Sequence, residues 1–391
     1  MRAFFALTLA AATLLAQNKL TQKEIDEGWI LLFDGESTFG WTPMGAATWT
    51  VVDGALVSDA GGYGWLRTNS EFADYVLKCE FRTSAKGNSG LFLRSAKEGE
   101  PHVTGYELQI WNDQPKFPNG SLVNHVGTKG RHKLKADEWN SIEVTVQGAR
   151  YVVKFNGKQV LDAPGQDKTR IGFIGLQHNK DLKMEFRDVK LKPLGLTALF
   201  NGRNLDGWRE VKAPRPREAP EWSARNGTIH VEKGPGQLET TTEYDDLVLQ
   251  LGIRTNPKDA SHHPNSGVFL RGNAEKFWTG YETQIRNEYK DGDRTKPVDF
   301  GTGGVYHYQP ARRVVANDGE YFVKTVVTRG RHIGVWINGY AVSDWEDTLP
   351  EGDTVARNKQ SKTAAGVISL QAHDPTTNLD FKNIRVARLP K

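Results

Sequence analysis

The chain runs to 391 residues, of which 38% are hydrophobic, 25% charged and 10% aromatic. This composition excludes collagen-like, disordered and polytopic membrane classes. Basic and acidic side chains number 51 and 47, a net charge of +4 without a long basic run, which gives no footing for nucleic-acid binding.

Residues 1–17 read as a signal peptide. Arg2 supplies a positive start, and 3–16 carry no charge, a stretch too short to span a bilayer but suited to a secretory h-region. Cleavage is expected after Ala16, although Leu14 fits a small-x-small site poorly. The protein is therefore expected to be exported, periplasmic or extracellular, without membrane insertion. From there on the dominant period is two. Leu77, Cys79 and Phe81 alternate with Lys78, Glu80 and Arg82, and Ile142, Val144 and Val146 alternate with Glu143, Thr145 and Gln147. Leu249, Leu251 and Ile253 repeat the pattern later in the chain. Asp53-Gly54, Gln147-Gly148, Asn156-Gly157, Asn226-Gly227 and Asn338-Gly339 suit hairpin turns with positive φ. Many short antiparallel strands and no long helical period predict a β-sandwich or jelly roll. Cys79 is the only cysteine, so no intramolecular disulfide can form, and it reads as a small core residue.

Internal similarity sets the organisation. LFDG at 32–35 returns as LFNG at 199–202, each followed by a Gly-Trp pair, Gly40-Trp41 and Gly207-Trp208. NSGLFLR at 88–94 returns as NSGVFLR at 265–271, and GYELQI at 105–110 as GYETQI at 280–285. FNG at 155–157 returns as ING at 337–339, and FRDV at 186–189 as FKNI at 381–384. The offset grows along the chain, so the second copy carries longer loops. Units of this size are domains rather than solenoid repeats, one at 18–194 and one at 195–391.

Alternation places Glu107, Gln109 and Trp111 on one face of a strand, opposite Tyr106, Leu108 and Ile110; Glu282, Gln284 and Arg286 match them in the second copy. In the preceding strand Arg94 shares a face with Gly90 and Phe92. A carboxylate, an amide, a guanidinium and aromatic rings on neighbouring strands would make a sugar-binding floor. The same alternation also produces ordinary solvated faces with cross-strand ion pairs. His178 and His373 each follow a Leu-Gln signature and lie eight residues before Phe186 and Phe381. Counted from Leu176 and Leu370, however, the first copy is one residue short. Both are candidates for acid–base work or metal ligation, against a purely structural role. No H-E-x-x-H spacing is present, so a metal site would have to be assembled in three dimensions. There is also no G-x-S-x-G elbow, P-loop, C-x-x-C or EF-hand loop, and no E-x-D-x-x-E strand for retaining glycoside hydrolysis.

Taken in order, L-F-(D/N)-G…G-W, N-S-G-x-F-x-R, G-Y-E-x-Q-I, the late N-G hairpin, L-Q-(x)-H and F-(R/K)-(D/N)-(I/V) resemble the 3-keto-disaccharide hydrolase family. That family is also described as 3-keto-glucoside-1,2-lyase/3-keto-2-hydroxy-glucal hydratase. The resemblance covers essentially the whole mature chain, twice. It implies an all-β fold of two tandem concanavalin/laminarinase-like jelly-roll β-sandwiches. It also implies an exported enzyme that cleaves 3-keto-glycosides or 3-keto-disaccharides by elimination at carbons 1 and 2, by hydration of the resulting glucal, or by both. Three departures stand out. Asn112 and Asn287 occupy a position where the family has Asp. The G-A-x-Y mark survives as Gly304, Val305 and Tyr306 but is lost as Ser121, Leu122 and Val123. Copy two also carries the fuller ending from Gln371 to Pro375, and is expected to be the better-kept site.

A ketone at carbon 3 acidifies the hydrogen on carbon 2, so this route needs a base, an oxyanion stabiliser and an acid rather than a retaining carboxylate pair. The expected catalytic set is His373 or Glu282 as base and Arg271 as oxyanion or substrate clamp, with Gln284, Asn265 and Tyr306 binding substrate. Glu107, His178, Arg94, Gln109 and Trp111 would form the first-copy set, and a divalent metal could replace Arg271 as polariser. The expected partner is a soluble saccharide. The rival reading is a non-catalytic tandem carbohydrate-binding protein, and a third has one active and one binding domain.

Overall fold

The computed structural model describes residues 17–166, 169–180, 182–215, 218–352 and 360–391. Apart from Gln17, the segment read as a signal peptide lies outside them. The chain divides into two compact units at residues 194/195, each an antiparallel β-sandwich of one eight-stranded and one five-stranded sheet. They are two tandem jelly rolls. The hairpin signals act as expected: Asp53-Gly54, Asn156-Gly157, Asn226-Gly227 and Asn338-Gly339 each have two consecutive residues at positive φ, the backbone of a type I′ turn.

In the first domain the five-stranded sheet runs in the order Trp41–Ala47, Gly61–Thr68, Phe173–His178, Asn88–Ser95, Tyr106–Trp111. In the second it runs Trp208–Lys212, Gly236–Thr240, Val367–Ala372, Ser266–Gly272, Tyr281–Ile285. Each copy packs one face of this sheet on the larger sheet. In the second domain Leu238, Val268, Leu270, Tyr281, Ile285 and Leu370 join Leu249, Leu251, Val326 and Phe381 in one buried cluster. The other face is the one that carries polar side chains, and it is built in rows across the strands. Gln237 pairs with Gln371, and Gly267 with Gln284; Arg209 pairs with Glu239, Glu239 with Ser369, Ser369 with Phe269, and Phe269 with Glu282.

One inward position breaks the apolar pattern. Lys324, on the strand Phe322–Arg329, alternates with Phe322 and Val326 and is fully buried inside the sandwich. Its ammonium group donates to the carbonyl of Thr283 at 2.8 Å, to the carbonyl of Gln284 at 3.0 Å and to Thr283 Oγ1 at 3.3 Å. The hairpin contacts of Asn156 with Ser141 and of Asn338 with Val323 align Lys324 with Ile142 of the first domain, which is buried and apolar.

Candidate functional site

The second domain's polar face is organised around Glu282. Beneath its carboxyl lies Gly267: a Cβ added there would stand 2.2 Å from Glu282 Oε1. Only glycine leaves room for the acid to lie back over the sheet, where the side chain of Gln371 hydrogen-bonds to it. Burial outweighs the attraction of Lys324, and the neighbouring Asp299 adds repulsion, so the Glu282 carboxyl is pushed up to about 8. It carries a proton at neutral pH. Burial likewise pulls Lys324 down to about 7, against the opposing pull of Glu282.

Asp299 is the hub of the site's outer wall, and sequence reasoning missed it. Its Oδ2 accepts from Gln284 Nε2 at 3.1 Å and from Asn265 Nδ2 at 3.2 Å, and the Tyr306 hydroxyl reaches the same carboxylate. Asp299 and Phe300 both have positive φ, 50° and 67°. Such side-chain-bearing residues hold that conformation only where their surroundings over-determine it. Here the Gln284 amide also donates to the Asp299 carbonyl at 3.0 Å, and the Ala311 amide to the Phe300 carbonyl at 2.8 Å.

His373 closes the opposite end. Its ring stacks on Trp278, with centroids 5.5 Å apart and planes 14° from parallel. Asp374 is held well below the usual carboxylate range, chiefly by its hydrogen bond with His373. An ionised carboxylate only accepts, so the proton of the neutral ring lies on Nδ1, which donates to Asp374 Oδ2 at 2.9 Å. That leaves Nε2 as an unprotonated acceptor, to which the Asn265 amide donates a long contact of 3.5 Å. In the same domain, Asn265 Oδ1, Gln371 Oε1, Ser369 Oγ and Trp278 Nε1 are buried without hydrogen-bond partners. Three can accept and two can donate, as a polyhydroxylated ligand requires.

The structure thus brings Glu282, Gln284, Asn265, Tyr306 and His373 together. It does not bring in Arg271. That side chain is 1% exposed and bound to Asp246 at 2.9 Å and to the carbonyls of Asp245, Gly330 and Lys362. Arg94 repeats this with Asp74 and the carbonyls of Ala73, Gly148 and Thr169. The reason is a register shift. Arg94 and Arg271 have φ of 53° and 55°, the ladder slips beside each, and alternation no longer predicts where the side chain goes. Both arginines are internal ties, not substrate clamps.

His178 is also corrected. Gln177 pairs with Trp65 and Gln371 with Gln237, so the register makes Ala372, not His373, the counterpart of His178. His178 follows Gln177 on the opposite, core-facing phase and is fully buried. The residue aligned with His373 is Asn179. Backbone bonds align the other wall too: Val123 to Glu107 matches Tyr306 to Glu282, and Gly120 to Gln109 matches Gly303 to Gln284. Lys116 and Val123 therefore stand in place of Asp299 and Tyr306. In the first domain Glu107 and Gln109 keep their face, Trp111 ends their strand half-buried, and Gln177 Nε2 donates to Glu107 Oε1 at 3.1 Å. Asn112 and Asn287, where an acid was looked for, tie loops together: Asn112 Oδ1 accepts from Asn119 and Leu134, and Asn287 bonds with Thr302 and Asp318.

Among the described residues, no three His, Cys, Asp or Glu side chains converge as a metal would require. Glu239 is a further buried acid on the floor, three strands from Glu282, about 14 Å at roughly 4.8 Å per strand. Paired glycosidase carboxylates stand about 5–10 Å apart. Glu239 is engaged instead by Arg209 at 2.9 Å and Gln237 at 3.0 Å.

The 3-keto-alpha-glucoside-1,2-lyase-like domain family matches the chain twice, at residues 28–192 and 195–387. The chain belongs to this family. A 3-keto-disaccharide hydrolase of Bacteroides thetaiotaomicron is 23% identical over 231 residues, covering 43% of this chain and 79% of that protein. Among solved structures, a Parabacteroides distasonis protein provisionally assigned as a glycosyl hydrolase is 23% identical over 46% of this chain and all of its own, with a TM-score of 0.41. The CBM66 carbohydrate-binding module of Bacillus subtilis, at 19% identity, covers 39% of this chain and 94% of its own, with a TM-score of 0.32. Membership makes this a carbohydrate-active, hydrolase-like protein.

Proposed function

We propose that the second domain cleaves 3-keto-glycosides by elimination across carbons 1 and 2, followed by hydration of the glucal. The observation that carries this reading is a buried carboxyl, Glu282, raised to about 8, and an imidazole acceptor, His373 Nε2, at the same side of the five-stranded sheet. His373 Nε2 takes the carbon-2 proton, acidified by the ketone, and Asp374 stabilises the imidazolium. The carbon-2 electron pair forms the double bond to carbon 1 as the glycosidic oxygen leaves with the proton of Glu282. Water then adds in reverse order. The Glu282 carboxylate takes a proton from water as its oxygen joins carbon 1, and the imidazolium returns the proton to carbon 2. Both groups end as they began.

Gln284, Asn265 and Tyr306 hold Asp299 and line the ligand's hydroxyl positions, and Gln371 keeps Glu282 in line. Export belongs to the same proposal, and intact mass of protein recovered outside the cytoplasm should show a chain beginning at Gln17. The reaction is tested by proton NMR of a 3-keto-glucoside in heavy water, with the unoxidised glucoside beside it. Loss of the keto-sugar with deuterium at carbon 2, and no change in the plain sugar, is expected. A keto-sugar that stays intact overturns the reading.

A further inference from the structure

We propose that the first domain's matching face is a second saccharide site, one that binds its ligand without turning it over. The recognition half of the site is present there. Glu107 lies over Gly90, where an added Cβ would come within 3.0 Å of Glu107 Oε1, and Gln177 holds the carboxyl as Gln371 does in the second domain. Gln109 and Gln177 are 3% and 4% exposed, and the Oε1 of each is buried without a hydrogen-bond partner. Two unfilled acceptors on the strands either side of Asn88–Ser95 call for hydroxyl donors rather than an anion. Burial also pushes Glu107 up to about 7, which reduces the negative charge it brings to the floor near neutral pH.

Apolar surface accompanies these groups. Trp65, Phe92 and Phe173 form a small buried cluster on this face, separate from the main core, with Met44 packed against it. Trp65 lies over Gly175, where a Cβ would meet the indole at 2.1 Å; the register gives the second domain Gln237 and Ser369 at these two places. Above them Tyr63 is 42% exposed, and its hydroxyl reaches the Gln177 amide. An exposed phenol ring beside hydroxyl-seeking amides fits a neutral pyranose, with one apolar face on the ring and its hydroxyls on the glutamines.

The reacting half is absent. Asn179, Lys116 and Val123 replace His373, Asp299 and Tyr306, so among the described residues this face has no counterpart of the His373 imidazole. A sugar seated here meets Glu107 without the paired imidazole that the two-group elimination requires, and stays intact.

Isothermal titration of the full chain carrying His373→Ala, with methyl α-D-glucopyranoside and its 3-keto counterpart, tests the proposal. Adding Tyr63→Ala or Gln177→Leu should weaken a saturable component at least tenfold. Tyr63→Ala alone should leave kcat on the small keto-glucoside unchanged. Tyr63 is exposed, so that variant keeps the fold if Gln177→Leu does not. Isotherms that neither substitution alters overturn the inference. Failure of the catalytic reading looks different: the unsubstituted chain then leaves the keto-glucoside intact, while binding still responds to Tyr63→Ala.

Discussion

Glu282→Gln separates a proton donor from a base. The carboxyl is raised from 4.5 to about 8, mainly by burial. The folded chain therefore holds this proton more tightly than the unfolded chain, and stability falls as pH rises from 4.5 to about 8. At 1.36 kcal/mol per pH unit, the penalty at pH 7 has a ceiling of about 3.4 kcal/mol. Glu282 is partly exposed, which lowers the gain expected from a neutral glutamine to about 1–3 kcal/mol at pH 9. In a domain of this size that is roughly 3–9 °C in melting temperature, shrinking towards zero at pH 5. Calorimetry of both proteins at pH 5 and 9 measures it. In parallel, kcat/KM for a 3-keto-glucoside should fall about 10²–10⁴-fold in the variant, and the unsubstituted enzyme should lose activity above pH 8. Activity that rises through pH 8 would make Glu282 the base. A variant with full turnover, or with the same stability offset at both pH values, would refute the argument.

Four further variants test the same geometry. Lys324 is depressed to about 7, so between pH 7 and 10.5 the unfolded chain binds the extra proton and stability rises with pH; Lys324→Met should flatten that rise in melting experiments. The same variant should move the alkaline limb of kcat/KM upward, because Lys324 favours the ionised form of Glu282. Arg271→Lys should lower stability by about 3–5 kcal/mol while leaving KM unchanged, as read by denaturant titration and initial rates, since it strips a buried multi-donor tie. Asp374→Asn presents an amide donor to His373 Nδ1, shifts the ring proton to Nε2, and should cut kcat about 10²–10⁴-fold with little change in KM. Gly267→Ala must push Glu282 off the sheet and should abolish turnover at an unchanged circular dichroism spectrum.

Strand-borne features were legible in the sequence, because period two gives the sheet face of each residue once the strand is known. Glu107, Gln109, Glu282 and Gln284 were read this way. Arg94 and Arg271 escaped because a left-handed residue beside a slipped ladder reverses the phase, and nothing in NSGLFLR or NSGVFLR marks the slip. His178 and His373 are a one-residue ambiguity that only the pairing of Gln177 with Trp65 and Gln371 with Gln237 resolves. Asp299 lies fifteen residues from its partner Gln284, on a loop with no period to read. Lys324 did carry a signal, a lysine on the apolar phase of FVKTVVTR, and a buried cation near Glu282 could have been looked for on that ground.

The duplication separates two requirements that a single domain would have confounded. Both copies keep a glycine under a glutamate and a glutamine beside it, and all three sit on neighbouring strands of one rigid sheet. In both copies desolvation is the largest cause that raises the carboxyl, and in the second the loop-borne Asp299 adds repulsion. The differences that bear on the proposed base are loop-borne or lie just past a strand end: His373 against Asn179, Asp299 against Lys116, Tyr306 against Val123. A neutral carboxyl flanked by amides recognises hydroxyls, but it cannot also remove a carbon-bound proton. The strands can therefore confer recognition on either domain. On the mechanism proposed above, the base, and with it the chemistry, depends on whether a loop carries an imidazole oriented by its own acid.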